Sequence, residues 1–186
     1  IYRNHLMELN QHVLVLGGAR SGKSVFAEDL TLSLAADAAA EHKSKCTYIA
    51  TAQIWDDEMQ TRVSTHQTRR SDVWQTVEAP LDLVPALLTH SQIDQPILVD
   101  CLTLWVTNLM MAERDIDGAV NALIFALAQL AGPVVFVSNE VGQGIVPDNK
   151  MARDFRDHAG SLHQKIAQAV AEVYFVTAGL PTKLKG

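Results

Sequence analysis

The stretch His12-Val13-Leu14-Val15-Leu16-Gly17-Gly18-Ala19-Arg20-Ser21-Gly22-Lys23-Ser24 decides the fold. Five residues of strand character run into GxxxxGK[ST], and a helical pattern begins at Val25, so the motif sits in the strand-loop-helix setting that gives it meaning. The glycines let backbone N–H groups turn inward around phosphate oxygens. The following helix aims its positive end at them, and Lys23 reaches the outer phosphates. Gly17, Gly18, Ala19, Arg20, Ser21, Gly22, Lys23 and Ser24 are therefore the expected phosphate cradle. Ser24 would also offer a hydroxyl to Mg²⁺, while Arg20 reads equally as a phosphate contact or a solvated charge.

Outward from this loop, short β-rich runs at residues 12–16, 46–50, 73–77, 96–100, 133–138 and 173–177 alternate with longer helical patterns. Several runs are continuously apolar, as expected of strands covered by helices on both faces of a mainly parallel sheet. The pattern predicts an α/β P-loop NTPase fold of the RecA-like kind. Residues 115–130 read either as one long helix or as the second half of a broken one. A chain of 186 residues without linker or repeat suits one nucleotide-binding domain over residues 1–186, with residues 1–11 as a short arm.

Hydrophobic residues make up 48% of the chain, yet no apolar run approaches the roughly 18 residues that span a bilayer. The first residues lack the unbroken apolar centre of an export signal. These features predict a soluble cytoplasmic protein. A net charge of −6 speaks against non-specific nucleic-acid binding, which needs a clustered Lys/Arg excess. Cys46 and Cys101 lie in or beside strand-like runs without metal-ligand spacing and read as buried thiols.

A P-loop needs an acidic partner at the end of a neighbouring apolar strand. Ile97-Leu98-Val99-Asp100 supplies one, with capping of the next helix as the other reading of Asp100. Asn139-Glu140 ends another strand at the edge where open α/β sheets bind ligands. Between the strand-like runs 46–50 and 73–77, residues 56–70 begin with three acids and end with two arginines, the charge order a helix favours. On that helix Arg62, His66 and Arg70 stand four apart and share one face. Nearby positive charge lowers an imidazole pKa and can neutralise a phosphate under attack, as a nucleophilic histidine requires. Spacing alone is equally consistent with a solvated basic face. His5, His12, His42, His90, His158 and His163 receive no chemical role.

The series Gly17-Gly18-Ala19-Arg20-Ser21-Gly22-Lys23-Ser24, then Tyr48-Ile49-Ala50-Thr51-Ala52, Asp57-Glu58-Met59, Arg62 and His66, resembles the bifunctional adenosylcobinamide kinase/adenosylcobinamide-phosphate guanylyltransferase family. The likeness continues through Trp74-Gln75-Thr76-Val77-Glu78-Ala79-Pro80, the block from Asp100 to Leu109 and the block from Ser138 to Pro147, then on into residues 152–160. It covers roughly residues 13–185. The resemblance implies that the enzyme phosphorylates the aminopropanol hydroxyl of adenosylcobinamide. It then transfers GMP from GTP, through a guanylyl group carried on His66, to give adenosylcobinamide-GDP in cobalamin biosynthesis.

It further implies that Ala50, Thr51 and Ala52 line the nucleotide site, that Gln67, Thr68, Arg69 and Arg70 touch the guanine nucleotide, and that Glu78 and Asp100 bind nucleotide. Asp100, with Ser24, would serve Mg²⁺. The implied partners are adenosylcobinamide, GTP and ATP, with neither nucleic acid nor membrane insertion, and the implied assembly is a homotrimer. Two departures from the family pattern are mild: Asp100 stands where some members have Glu, and His163 where many have Asn. A P-loop small-molecule kinase without guanylyl transfer, or a RecA-like ATPase or switch module, are the competing readings.

Overall fold

A computed structural model describes residues 11–38, 45–53 and 73–186. Its strands are β1 (Val13–Gly17), β2 (Cys46–Ala50), β3 (Trp74–Glu78), β4 (Ile97–Asp100), β5 (Val134–Asn139), β6 (Glu172–Thr177) and β7 (Leu180–Lys185). Its helices are α1 (Lys23–Ala38), α2 (Leu83–His90), α3 (Leu102–Met111), α4 (Ile116–Leu127) and α5 (Lys150–Ala169). All seven strands join one sheet in the order β3-β2-β4-β5-β1-β6-β7. Every pairing is parallel except β6 with β7. The predicted α/β P-loop architecture is present, with one strand, β5, between the P-loop strand and the strand ending in Asp100.

The alternation of side chains along each strand explains the unbroken apolar runs. Leu14, Leu16, Val99 and Phe136 face one core with Leu83, Leu87, Trp105, Leu123, Leu162 and Ile166 from α2 to α5. Val13, Val15, Leu98, Val135 and Val137 face the other, closed by Ala27 of α1 with Phe26, Leu30 and Leu34. Among the described residues, four helices therefore cover one face and α1 the other. The Phe26 and Tyr174 rings meet edge to face at 5.1 Å and fasten α1 to β6.

Strand ends differ from the expected ones by at most one residue, and β7 is an addition. Pro181 and the exposure of every β7 residue mask it in sequence. Both suit an edge strand, where a proline costs no ladder bond. The ambiguous region after residue 114 is a separate helix. The Asp115 side chain accepts from the Gly118 N–H and starts α4 there.

His12, given no chemistry by the sequence, is a buried structural tie. Its Nδ1 accepts from the Val134 N–H at 3.1 Å, so the proton resides on Nε2, which donates to Leu127 O at 3.0 Å. Burial depresses its pKa, with the Leu127 carbonyl opposing. Burial also depresses that of His163, opposed by Glu140. Both rings bind a proton more readily in the unfolded chain, so stability is intact above the unfolded histidine pKa of about 6.5 and falls as pH drops through it. Thermal midpoints measured from pH 7.5 to 5 should decline below about 6.5, and His12→Gln should flatten the decline. A midpoint constant to pH 5 would contradict this reading.

Candidate nucleotide site

The cradle forms where β1 gives way to α1. Arg20 and Gly22 take positive φ values of 56° and 93°, which reverse the chain twice within three residues and turn the loop N–H groups inward. Glycine is needed at position 22 on a second count. A Cβ there would lie 2.9 Å from the Gly179 Cα in the β6–β7 turn. That turn also donates the Gly179 N–H to Ser21 O at 2.7 Å, so the C-terminal hairpin braces the loop. Lys23, the first residue of α1, is buried, with Nζ 3.0 Å from Gly18 O, over the mouth of the loop. Ser21 Oγ is buried without a hydrogen-bond partner among the described residues. A buried polar atom at this position is what an incoming phosphate oxygen would satisfy. Arg20 and Ala19 are exposed beside it.

Asp100 ends β4, and its Oδ2 accepts from the Tyr48 hydroxyl at 2.8 Å. Cys101, not Asp100, is the cap residue of α3, so the capping reading of Asp100 falls away. Ser24, in the first turn of α1, and Asp100 are hard oxygen donors of the kind Mg²⁺ takes, with phosphate oxygens and waters to complete the set. Among the described residues there is no cluster of three or more His, Cys, Asp or Glu able to hold a metal unaided. The oxygen donors of Ser24 and Asp100 fit a divalent ion carried with a nucleotide's phosphates.

Ala50 and Glu78 pair across the ends of β2 and β3, with Ala79 N–H donating to Ala50 O at 2.8 Å. Ala50 and Ala52 are half-buried and Glu78 is exposed, whereas Thr51 is fully buried. The P-loop, Asp100, the β2 end and Glu78 thus share the carboxyl edge of the sheet. His66, Gln67, Thr68, Arg69 and Arg70, with Arg62, lie outside the described residues.

The structure adds neighbours that motif reading did not assign. Asn139 sits level with Gly17 in the β5–β1 register and donates to Thr103 Oγ1 at 3.0 Å. Glu140 follows, its N–H on Gly17 O at 3.0 Å and one carboxylate oxygen accepting from the Gly142 N–H. Its other oxygen stands 4.0 Å from His163 Nδ1, whose Nε2 shares a 2.7 Å hydrogen bond with Ser138 Oγ. The position of Asn139-Glu140 after an apolar strand was the only sequence signal for this chain of contacts. Cys101 is buried and its thiol is pushed up to about 11, chiefly by burial and then by Asp100, so it is inert at neutral pH. Burial alone pushes the Cys46 thiol up to about 11.

The family model described as cobinamide kinase / cobinamide phosphate guanyltransferase matches residues 13–184, nearly the whole chain. The chain belongs to this family. Among relatives of the cobinamide kinase / guanyltransferase family, the bifunctional adenosylcobalamin biosynthesis protein CobP of Pseudomonas aeruginosa is 46% identical over 175 residues, spanning 93% of this chain and 96% of its own. CobU of Salmonella typhimurium is 41% identical and CobU of Escherichia coli 38%, each across 93% of this chain and 99% of the relative. A solved Pyrococcus horikoshii OT3 protein aligns over 98% of this chain and 91% of its own with a TM-score of 0.54 at 9% identity, a likeness of fold alone. The resemblance read from the motifs is thus the family found over the whole matched length, and the named members are bifunctional.

Proposed function

We propose that this chain phosphorylates the aminopropanol hydroxyl of adenosylcobinamide and then converts the phosphate to adenosylcobinamide-GDP, as a homotrimer in the cytoplasm. The observation that carries the proposal is a P-loop with an orphaned Ser21 hydroxyl and a buried lysine, set one strand from Asp100, in a chain matched along its length by a kinase/guanyltransferase family. In the first step the acceptor hydroxyl attacks the γ-phosphorus of a nucleoside triphosphate. The γ-phosphorus–oxygen bond breaks, the nucleoside diphosphate leaves, and the hydroxyl proton passes to solvent or a nearby base. Such transfer is mostly positioning and charge stabilisation, which Gly17 to Ser24 supply through N–H groups and the Lys23 ammonium.

The second step needs a covalent carrier. A ring nitrogen of His66 attacks the α-phosphorus of GTP and releases pyrophosphate. A phosphate oxygen of the first product then attacks the same phosphorus, and the nitrogen–phosphorus bond breaks. The Arg62-His66-Arg70 spacing supports this role, because flanking guanidinium groups favour the neutral ring and offset charge on the phosphorus oxygens. Gln67 to Arg70, Ala50, Ala52 and Glu78 would surround the guanine nucleotide. Ser24 and Asp100 would hold Mg²⁺ together with the nucleotide, and the ion would supply charge neutralisation at the phosphates.

Product analysis tests the reading. Purified protein with adenosylcobinamide, ATP, GTP and Mg²⁺ is expected to yield first the phosphate and then the GDP ester with pyrophosphate. Accumulation of the phosphate alone would identify a simple kinase. Nucleotide hydrolysis without any corrinoid product would overturn the proposal.

A further inference from the structure

Helix α3 directs two side chains, three residues apart and so on one face, at the loops that follow β2 and β3. Trp105 Nε1 donates to Leu81 O at 2.9 Å. Asn108 is 3% exposed, and its Nδ2 donates to Thr51 O at 2.7 Å and to Pro80 O at 2.9 Å. One amide nitrogen therefore links two separate crossovers. Thr51 is tied on its other sides as well. Its N–H donates to Asp100 O at 3.0 Å, and its hydroxyl donates to Cys101 O at 2.7 Å while accepting the Cys101 N–H at 2.8 Å. Backbone N–H, carbonyl and hydroxyl of Thr51 are all engaged by protein, and no surface remains for a ligand.

A buried amide among apolar residues such as Leu102, Val106 and Leu109 is costly unless its hydrogen bonds are made. A core built only for stability could place leucine there, provided the two loop carbonyls reached other donors. The arrangement instead uses α3 to set the ends of β2 and β3 against the end of β4. Ala52 follows Thr51 directly, Glu78 precedes the Ala79-Pro80 segment, and Asp100 is the residue whose carbonyl Thr51 holds.

We propose that Asn108 and Thr51 are positioning residues for the nucleoside triphosphate: they hold Ala52 and Glu78 at a fixed distance from Asp100 and the P-loop. Thr51 acts through its neighbours and not by touching the nucleotide. The assignment rests on the proposed function only in taking GTP as the probe.

The test uses full-length protein carrying Asn108→Leu, which removes the donors at similar volume, Thr51→Val, which removes the hydroxyl, and Thr51→Ser, which keeps it. Equilibrium titration with GTP is expected to show the Kd raised by about tenfold in the first two, with Thr51→Ser restored to within about twofold of wild type. KM for GTP should follow Kd, while kcat per folded molecule stays within about threefold, since the reacting groups are untouched. A stability role alone predicts wild-type Kd and KM with a lower thermal midpoint. That result, or loss of fold in both Asn108→Leu and Thr51→Val, overturns the proposal. The titration needs no corrinoid, so wild-type protein that binds GTP but makes no cobinamide phosphate would defeat the proposed function and leave this assignment standing.

Discussion

Lys23→Ala is expected to lower both cobinamide phosphorylation and guanylyl transfer by about 10²- to 10³-fold, the usual effect of deleting one preorganised charge or donor aimed at developing phosphate charge. Two features set the size. Lys23 is 8% exposed, so its ammonium acts where water screens little. Its Nζ lies 3.0 Å from Gly18 O, across the loop expected to cradle the phosphates. On the proposed function both reactions begin from a triphosphate in this cradle, so they should fall together. Steady-state rates for each step, with a thermal midpoint to verify the fold, decide the matter. Retention of either activity at near wild-type rate would show that the cradle serves only one of them.

The second large effect should be selective. His66→Ala is expected to abolish guanylyl transfer, by at least about 10⁴-fold, because deleting the nucleophile of a covalent mechanism removes the step and not merely its stabilisation. Phosphorylation should persist within a few-fold. With α-labelled GTP, wild-type protein should take up acid-labile, alkali-stable label, and the variant none. Active wild-type protein that takes up no label would remove the histidine from the mechanism. Equal loss of both activities in the variant would instead make His66 part of the shared cradle.

Much of this was legible in the sequence because the signals are local. The P-loop is eight consecutive residues, and the strands around it are runs of three or four apolar side chains whose neighbours alternate between two cores. Asp100 was readable as a strand-end acid, and only coordinates separated its role from capping, by placing the cap at Cys101. The features that escaped are those made between distant residues. Asn108 bonds to loops 57 and 28 positions away, and His12 to a strand 122 positions away. Nothing in the spacing of a lone buried asparagine or histidine announces such partners. The edge strand β7 escaped for the opposite reason, since it has no buried face to impose a pattern.

The placement of β1 has a consequence for how the protein comes to life on the ribosome. The P-loop strand is near the beginning of the chain, yet its two neighbours in the sheet are β5 and β6, and its loop leans on Gly179. The cradle therefore cannot close until the chain has been synthesised through Gly179. A nucleotide can select and stabilise only the nearly finished molecule. A nascent chain that stops short of Gly179 carries the complete motif without the brace that closes it.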